Sequence, residues 1–403
     1  MSEVFGYHGC YLRVDVGVGT AERIVIPEEQ LRRSIGGTGL GSWILAREMP
    51  GNVEATSPES PLVFVFSPLV GSPLTTSAKF GVVAKSPLTG RLNDSLASSH
   101  FAIAGKKTGC DAIVLVGQCS KPSLLLVEPD GIRLEPATDL WGMTIPDCEA
   151  RLRTQLPKGF RSAVIGPAGE RGVRFASISH DGRHAGRGGL GTVMGSKKIK
   201  AVCVRGDQSV SFAHPKQLTA YSRDLSKKSL GEATAKYREL GTVDNLVTFN
   251  RLGTLPTRNF QQGRFEEAAK LTPENLVPEG KRTRSSCAAC TIGCEHIFES
   301  KEGRPVRLEY ENLFSLGPLC GVSDPETVLK ASSLCDDLGM DTISAGVTIA
   351  FAMECSERGL IDETIRFGEP SDLINTLQLI AGREGIGEIL SLGTRAAAAA
   401  IGQ

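Results

Sequence analysis

Short apolar runs set the pattern of the first half of the chain. "YLRVDV", "PLVFVF", "DAIVLV", "SLLLVE", "SAVIGP" and "IKAVCVRG" are rich in β-branched residues and bounded by Gly, Pro, Asn or Ser clusters. Each therefore predicts a strand, and no long helical pattern interrupts them. Past "DQSVSF" the texture changes, and from about Pro215 longer Ala-, Leu-, Lys- and Glu-rich stretches read as helices. Two are well delimited. "SDPETVLKASSLCDDLG" has Asp324 as N-cap, Pro325 at the first helical position and Gly339 as its stop. "DTISAGVTIAFAMECSERG" begins at its own cap, Asp341, ends at Gly359 and is apolar most of the way round, which predicts a buried helix. The last stretch, from Leu373 onward, predicts one more helical pair. The pattern adds up to an α+β protein with a strand-rich domain over residues 1–208 and an all-helical domain over 209–403.

Composition narrows the function classes. Hydrophobic residues make up 40% and charged residues 22% of the 403, a globular balance that allows two or three cores. The 45 basic side chains are matched by 45 acidic ones, so no net charge recruits nucleic acid or an anionic membrane. No apolar run reaches the ~18 residues of a membrane span. The start, "MSEVFGYHGC", does not read as a signal peptide. Eleven cysteines in a chain this long are not a disulfide scaffold; they predict free thiols in a reducing cytoplasm.

Three of those thiols crowd into "SSCAACTIGCEHIF", where Cys287, Cys290 and Cys294 follow a C-x2-C-x3-C spacing. Two centres suit it: a zinc tetrahedron completed by His296, or an iron–sulfur cluster drawing its fourth ligand from elsewhere. Glycine clusters as well, at "IGGTGLG" and "GRHAGRGGLG". "GRGGLG" fits a dinucleotide fingerprint, but "SHDGRHA" before it reads as no strand and no ribose-binding acid follows about 20 residues on. What remains is a loop of backbone amides flanked by Arg183, Arg187, Lys197, Lys198 and Lys200, suited to a multivalent anion or to a simple turn between surface strands.

An ordered series of segments resembles the tungsten-dependent aldehyde:ferredoxin oxidoreductases. It runs through "LRVDVG", "SIGGTGLG", "AKSPLTG", "GCDAIVLVG", "IGPAGE" and "HAGRGGLGTVMGSKKIKA", then "CAACTIGCEH", "EYENLFSLGPLCG" and "DDLGMDTISAGVTIAFAME". The resemblance implies a strand-rich base for a tungsten or molybdenum bis-pterin, with a [4Fe–4S] cluster beside it. It implies oxidation of an aldehyde to a carboxylate, with electrons passed to ferredoxin. Carried over, Cys287, Cys290 and Cys294 are three cluster ligands, and Asp336, Gly339 and Asp341 of "DDLGMD" hold one pterin. Arg183, His184, Ala185, Gly186 and Arg187 lie at the pterin phosphates and their bridging magnesium. Glu309 or Glu311 of "EYE" is the active-site glutamate, and the segment itself does not say which.

Three departures qualify the resemblance. Lys79 stands in the segment where the family has an arginine between cluster and pterin, keeping the charge but losing the bidentate fork. "DSLASSH" replaces the family's "SNSGG", so Leu96 can serve magnesium only through its carbonyl. The chain also stops short of the family's usual length, which implies that the C-terminal domain, with the fourth cluster cysteine, is absent. On that reading the alternatives are a split enzyme completed by a second chain, or a truncated, non-catalytic pterin and iron–sulfur subunit. Partners implied by the resemblance are ferredoxin or a small iron–sulfur subunit, and a second copy in a homodimer.

Overall fold

The computed structural model describes residues 4–277 and 282–402. Two compact units emerge: Met1–Lys228 together with Cys287–Thr291, and Ser229–Ser286 together with Ile292–Gln403.

The first unit is built on two six-stranded sheets. One holds β1 (Cys10–Asp15), β2 (Thr20–Val25), β3 (Leu62–Phe66), β4 (Lys79–Lys85), β5 (Leu92–Ser98) and β6 (Ala112–Val116), in the order β2-β1-β6-β3-β4-β5. The other holds β7 (Ser123–Glu128), β8 (Gly131–Pro136), β9 (Arg161–Val164), β10 (Ile178–His180), β11 (Arg183–Ala185) and β12 (Ile199–Val204), in the order β11-β10-β9-β12-β7-β8. All six apolar runs of the sequence fall on strands of these sheets.

Burial on both faces explains why β3 and β6 are unbroken apolar runs rather than alternating ones. Phe64 and Phe66 of β3 join a central core with Leu125 and Val127 of β7, while Val63 and Val65 turn to the opposite face. The short helices His100–Lys106 and Leu190–Ser196 touch strands of both sheets and add Phe101, Leu190 and Met194 to that central core. Outside the first sheet lies the helix Gly37–Glu48, and outside the second the helix Ile145–Gln155.

The helix Gly37–Glu48 was not legible in the sequence. Three glycines within its first five residues argue against a helix on propensity. It forms because Leu40, Ile44 and Leu45 pack on β3 and β4, and because Gly41 lets the backbone settle there; a Cβ would stand 2.6 Å from a methyl of Val83. "SHDGRHA" also differs from its reading. It is a hairpin of β10 and β11, turned by Asp181 and Gly182, both at positive φ.

The second unit is mainly helical, and the capping signals hold. Asp324 caps Pro325–Leu338 by accepting from the Thr327 amide (2.8 Å), and Gly339 closes that helix in the left-handed region. Asp341 caps Thr342–Glu357, accepting from the amides of Ile343 and Ser344. The C-terminal stretch is three helices rather than a pair: Pro370–Gly382, Ile386–Leu390 and Thr394–Ile401. "All-helical" needs correction too, because β13 (Arg282–Ser285), β14 (Glu295–Glu299) and β15 (Pro305–Leu308) form a three-stranded antiparallel sheet. Charged and polar residues dominate its strands, so the period-2 signal was weak.

Candidate functional site

Cys287 and Cys290 sit in one turn, with the Cys290 amide donating to the Cys287 carbonyl (3.1 Å). That turn packs against Thr75 and Thr76. The Thr76 amide donates to the Ala289 carbonyl (2.6 Å), the Thr291 amide donates to the Thr75 hydroxyl (3.0 Å), and the two threonine hydroxyls lie 2.8 Å apart. Thr76 and Ala289 both take positive φ, a strained state for residues with a Cβ that these bonds hold in place. The fold thus delivers the cysteine turn to the segment that leads into Lys79, the residue that opens β4. All three loop cysteines are partly exposed, unlike most cysteines of the chain.

Cys294 belongs to the second unit, just before β14. His296, two residues on, is a buried strand residue paired in register with Arg284 and Leu308; burial lowers its pKa first, and the Arg282 charge adds to this. Among the described residues no three His, Cys, Asp or Glu side chains are gathered as a metal-holding group. The donor set itself, three partly exposed cysteines, fits thiolate ligation of a soft metal or iron–sulfur centre. Cys335, next to the "DDLGMD" segment, is fully buried in a helix, and burial pushes its thiol well up.

A second cluster lies along β5. Leu96 pairs with Gly81 of β4 and is 58% exposed, and Lys79 pairs with Ser98. Asn93 donates to the Arg187 carbonyl (3.1 Å), the Ser95 hydroxyl accepts from the Arg187 amide (3.3 Å), and Thr38 donates to Asp94 (2.7 Å). Ser86 of "KSPLTG" donates to the Gly188 carbonyl (2.7 Å). Segments far apart in sequence therefore converge on β5, the Arg187 loop through Asn93 and Ser95 and Thr38 through Asp94 on the other face of the strand. Arg183 and His184 are half-buried on β11, Ala185 is buried, Gly186 is partly open and Arg187 is exposed.

The glycines of this loop serve its own packing. Gly188 has φ 81°, and a Cβ there would stand 2.1 Å from Asn93. At Gly186, by contrast, a Cβ would meet nothing within 4 Å, which leaves room beside its amide for an anion.

In the second unit the "DDLGMD" residues have visible structural duties. Gly339 and Asp341 are the stop of one helix and the cap of the next, and Asp341 also accepts from the Ser344 hydroxyl (2.5 Å). Asp336 is half-buried near the end of the first. The two glutamates separate clearly. Glu309 is half-buried at the N-cap of Tyr310–Leu316, where its Oε2 accepts from the Thr242 hydroxyl (2.8 Å). Thr242 in turn accepts from the Tyr310 amide (3.1 Å). Glu311 is exposed on the first turn. Thr242 was not among the residues singled out from sequence, because a lone threonine 67 positions upstream carries no motif.

Residues 11–206 match the family model "Aldehyde ferredoxin oxidoreductase, N-terminal domain", and residues 219–403 match "Aldehyde ferredoxin oxidoreductase, domains 2 & 3". The second match overturns the expectation that the C-terminal domain is absent, since the matched region carries the sequence of those domains. A tungsten-containing aldehyde ferredoxin oxidoreductase of Pyrococcus abyssi is 36% identical over 97% of this chain and 67% of its own length. The WOR-like subunit of an aliphatic sulfonate oxidoreductase of Pyrococcus furiosus is 29% identical over 99% of this chain and 68% of its own length. Among solved structures, a chain of the active-site complex BamBC of benzoyl coenzyme A reductase, in complex with 1,5-dienoyl-CoA, superposes with a TM-score of 0.88 at 25% identity. It covers 99% of this chain and 64% of that one, so the chain spans about two thirds of the proteins it resembles. On the two model matches and the relatives above 30% identity, the chain belongs to the aldehyde ferredoxin oxidoreductase family, a family of oxidoreductase enzymes.

Proposed function

We propose that this chain oxidises an aldehyde to a carboxylate with a tungsten or molybdenum bis-pterin and a [4Fe–4S] cluster, and that ferredoxin takes the electrons. The collinear match over residues 11–206 and 219–403 carries the reading. When bound, these groups accept an electron pair and release it one electron at a time. The chain's own residues divide the remaining work. Cys287, Cys290 and Cys294 supply thiolates for the cluster. Arg183, His184 and Arg187, with the amides at Ala185 and Gly186, hold phosphate and magnesium, and the Leu96 carbonyl adds a neutral oxygen donor. Asp336, Gly339 and Asp341 hold a pterin edge, and Lys79 places one positive charge near the cysteine turn.

Glu309 is the proton acceptor in this reading. A carboxylate fixed by a hydroxyl and half-withdrawn from water is better placed for proton transfer than one waving on an exposed turn, and Thr242 provides that fixing hydrogen bond. The chain works in the cytoplasm on this account; among the described residues no helix is long and apolar enough to cross a membrane. An anaerobic preparation that reduces a viologen dye only when aldehyde is present is the expected result. A metal-loaded preparation inert to all aldehydes tried would contradict it.

A further inference from the structure

Apart from the loop cysteines, Cys119, Cys148, Cys203, Cys320, Cys335 and Cys355 are buried thiols, each raised chiefly by desolvation. Cys10 and Cys110 are different. Cys10 opens β1, and Cys110 lies just ahead of β6, its parallel neighbour; the Asp111 amide donates to the Cys10 carbonyl (2.8 Å). Strand pairing therefore brings two sulfurs 100 residues apart to 3.9 Å, in contact.

A cation is aimed at this pair. Arg23, on the next strand β2, is anchored by the carbonyls of Thr108 (3.1 Å), Gly109 (2.8 Å) and Pro129 (2.9 Å). Its Nη1 stands 2.8 Å from the Cys110 sulfur and 4.0 Å from that of Cys10. Asp111, whose charge opposes a thiolate here, is tied to Lys106 at 2.5 Å and accepts from the amides of His8 and Gly9. The Cys110 hydrogen bond favours the Cys10 thiolate most, burial opposes it and Arg23 adds, leaving that thiol at about 7. Cys110 is buried and shifts upward, chiefly through Cys10. One sulfur is thus reachable and thiolate-prone, and the other waits beneath it.

We propose that Cys10 and Cys110 form a peroxide-reactive dithiol that closes to a reversible disulfide. The Cys10 thiolate attacks one oxygen of hydrogen peroxide; the S–O bond forms, the O–O bond breaks and the departing hydroxide takes up a proton to become water. The Cys110 sulfur then displaces the sulfenic oxygen. The S–S bond forms, the S–O bond breaks, and the thiol proton leaves with the hydroxyl as a second water. Two thiols and one peroxide give one disulfide and two waters, and an external dithiol reverses the sulfur oxidation. The product staples β1 to the entry of β6 inside the first sheet, and a bridge closing so long a loop raises the unfolding midpoint.

Holoprotein treated with stoichiometric hydrogen peroxide, then alkylated and digested, reads this directly. The expected result is a Cys10–Cys110 linked peptide, a loss of two titratable thiols, and recovery of both with dithiothreitol. Cys110→Ser should leave Cys10 as a sulfenic acid captured by dimedone, and Arg23→Gln should slow Cys10 oxidation at least about threefold. A wild-type protein in which Cys10 stays reduced, or goes on to sulfinic acid while Cys110 remains a thiol, overturns the proposal. The linked-peptide readout needs only wild-type protein, so it stands even if a variant fails to fold.

Discussion

At the scale of single residues, the two glutamates of "EYE" show what a sequence conceals. Their spacing gave no ground for choosing, yet the fold gives Glu309 a hydroxyl partner and leaves Glu311 on an exposed turn. Glu309→Gln should lower kcat about a hundredfold or more while metal content holds. Glu311→Gln should leave kcat near wild type. Equal losses in both, measured by aldehyde-dependent dye reduction, would remove the distinction. The Cys10–Cys110 contact escaped the sequence for a related reason, since nothing local to either residue reports on strand order.

At the scale of elements, the legible features were those with local physics. Apolar runs gave the strands, and Asp324, Pro325, Gly339 and Asp341 gave two helices with their ends. Tertiary packing supplied the rest: the glycine-studded helix Gly37–Glu48, the polar three-stranded sheet, and the return of Cys287–Thr291 to the first unit. Candidate site residues were proposed through resemblance, whereas their neighbours Thr75, Asn93 and Thr242 carried no motif that would single them out. Asp324 and Asp341 are both N-caps, and only Asp341 is also proposed to hold a pterin. Replacing either by Ala should cost about 0.5–2 kcal/mol in chemical denaturation. Only Asp341→Ala should also deplete the bound pterin, measured by its released fluorescence. Equal pterin content in the two variants would reduce Asp341 to a cap.

Stability and cofactor content belong to the whole molecule. Lys197 is fully enclosed, with its ammonium donating to the carbonyls of Pro58 (2.9 Å) and Gly117 (3.4 Å). Burial lowers its pKa from the ordinary 10.5 to about 8, with Glu59 and Asp15 pulling the other way. Below pH 8 the lysine is charged in both states and the cost of burying it is fully present. Between pH 8 and 10.5 the native state sheds this proton while the unfolded chain keeps it, so Lys197 favours folding increasingly as pH rises through that window. Denaturation midpoints at pH 7.5 and 9.5 should therefore shift in favour of wild type relative to Lys197→Met. Parallel shifts in the two proteins would show that the lysine is not depressed.

An iron–sulfur cluster and a heavy-metal pterin in this chain would both be read from its metal content. Protein purified anaerobically from its native host should contain about four irons and about one tungsten or molybdenum per chain. Folded protein with iron and both heavy metals at background would rule out both groups.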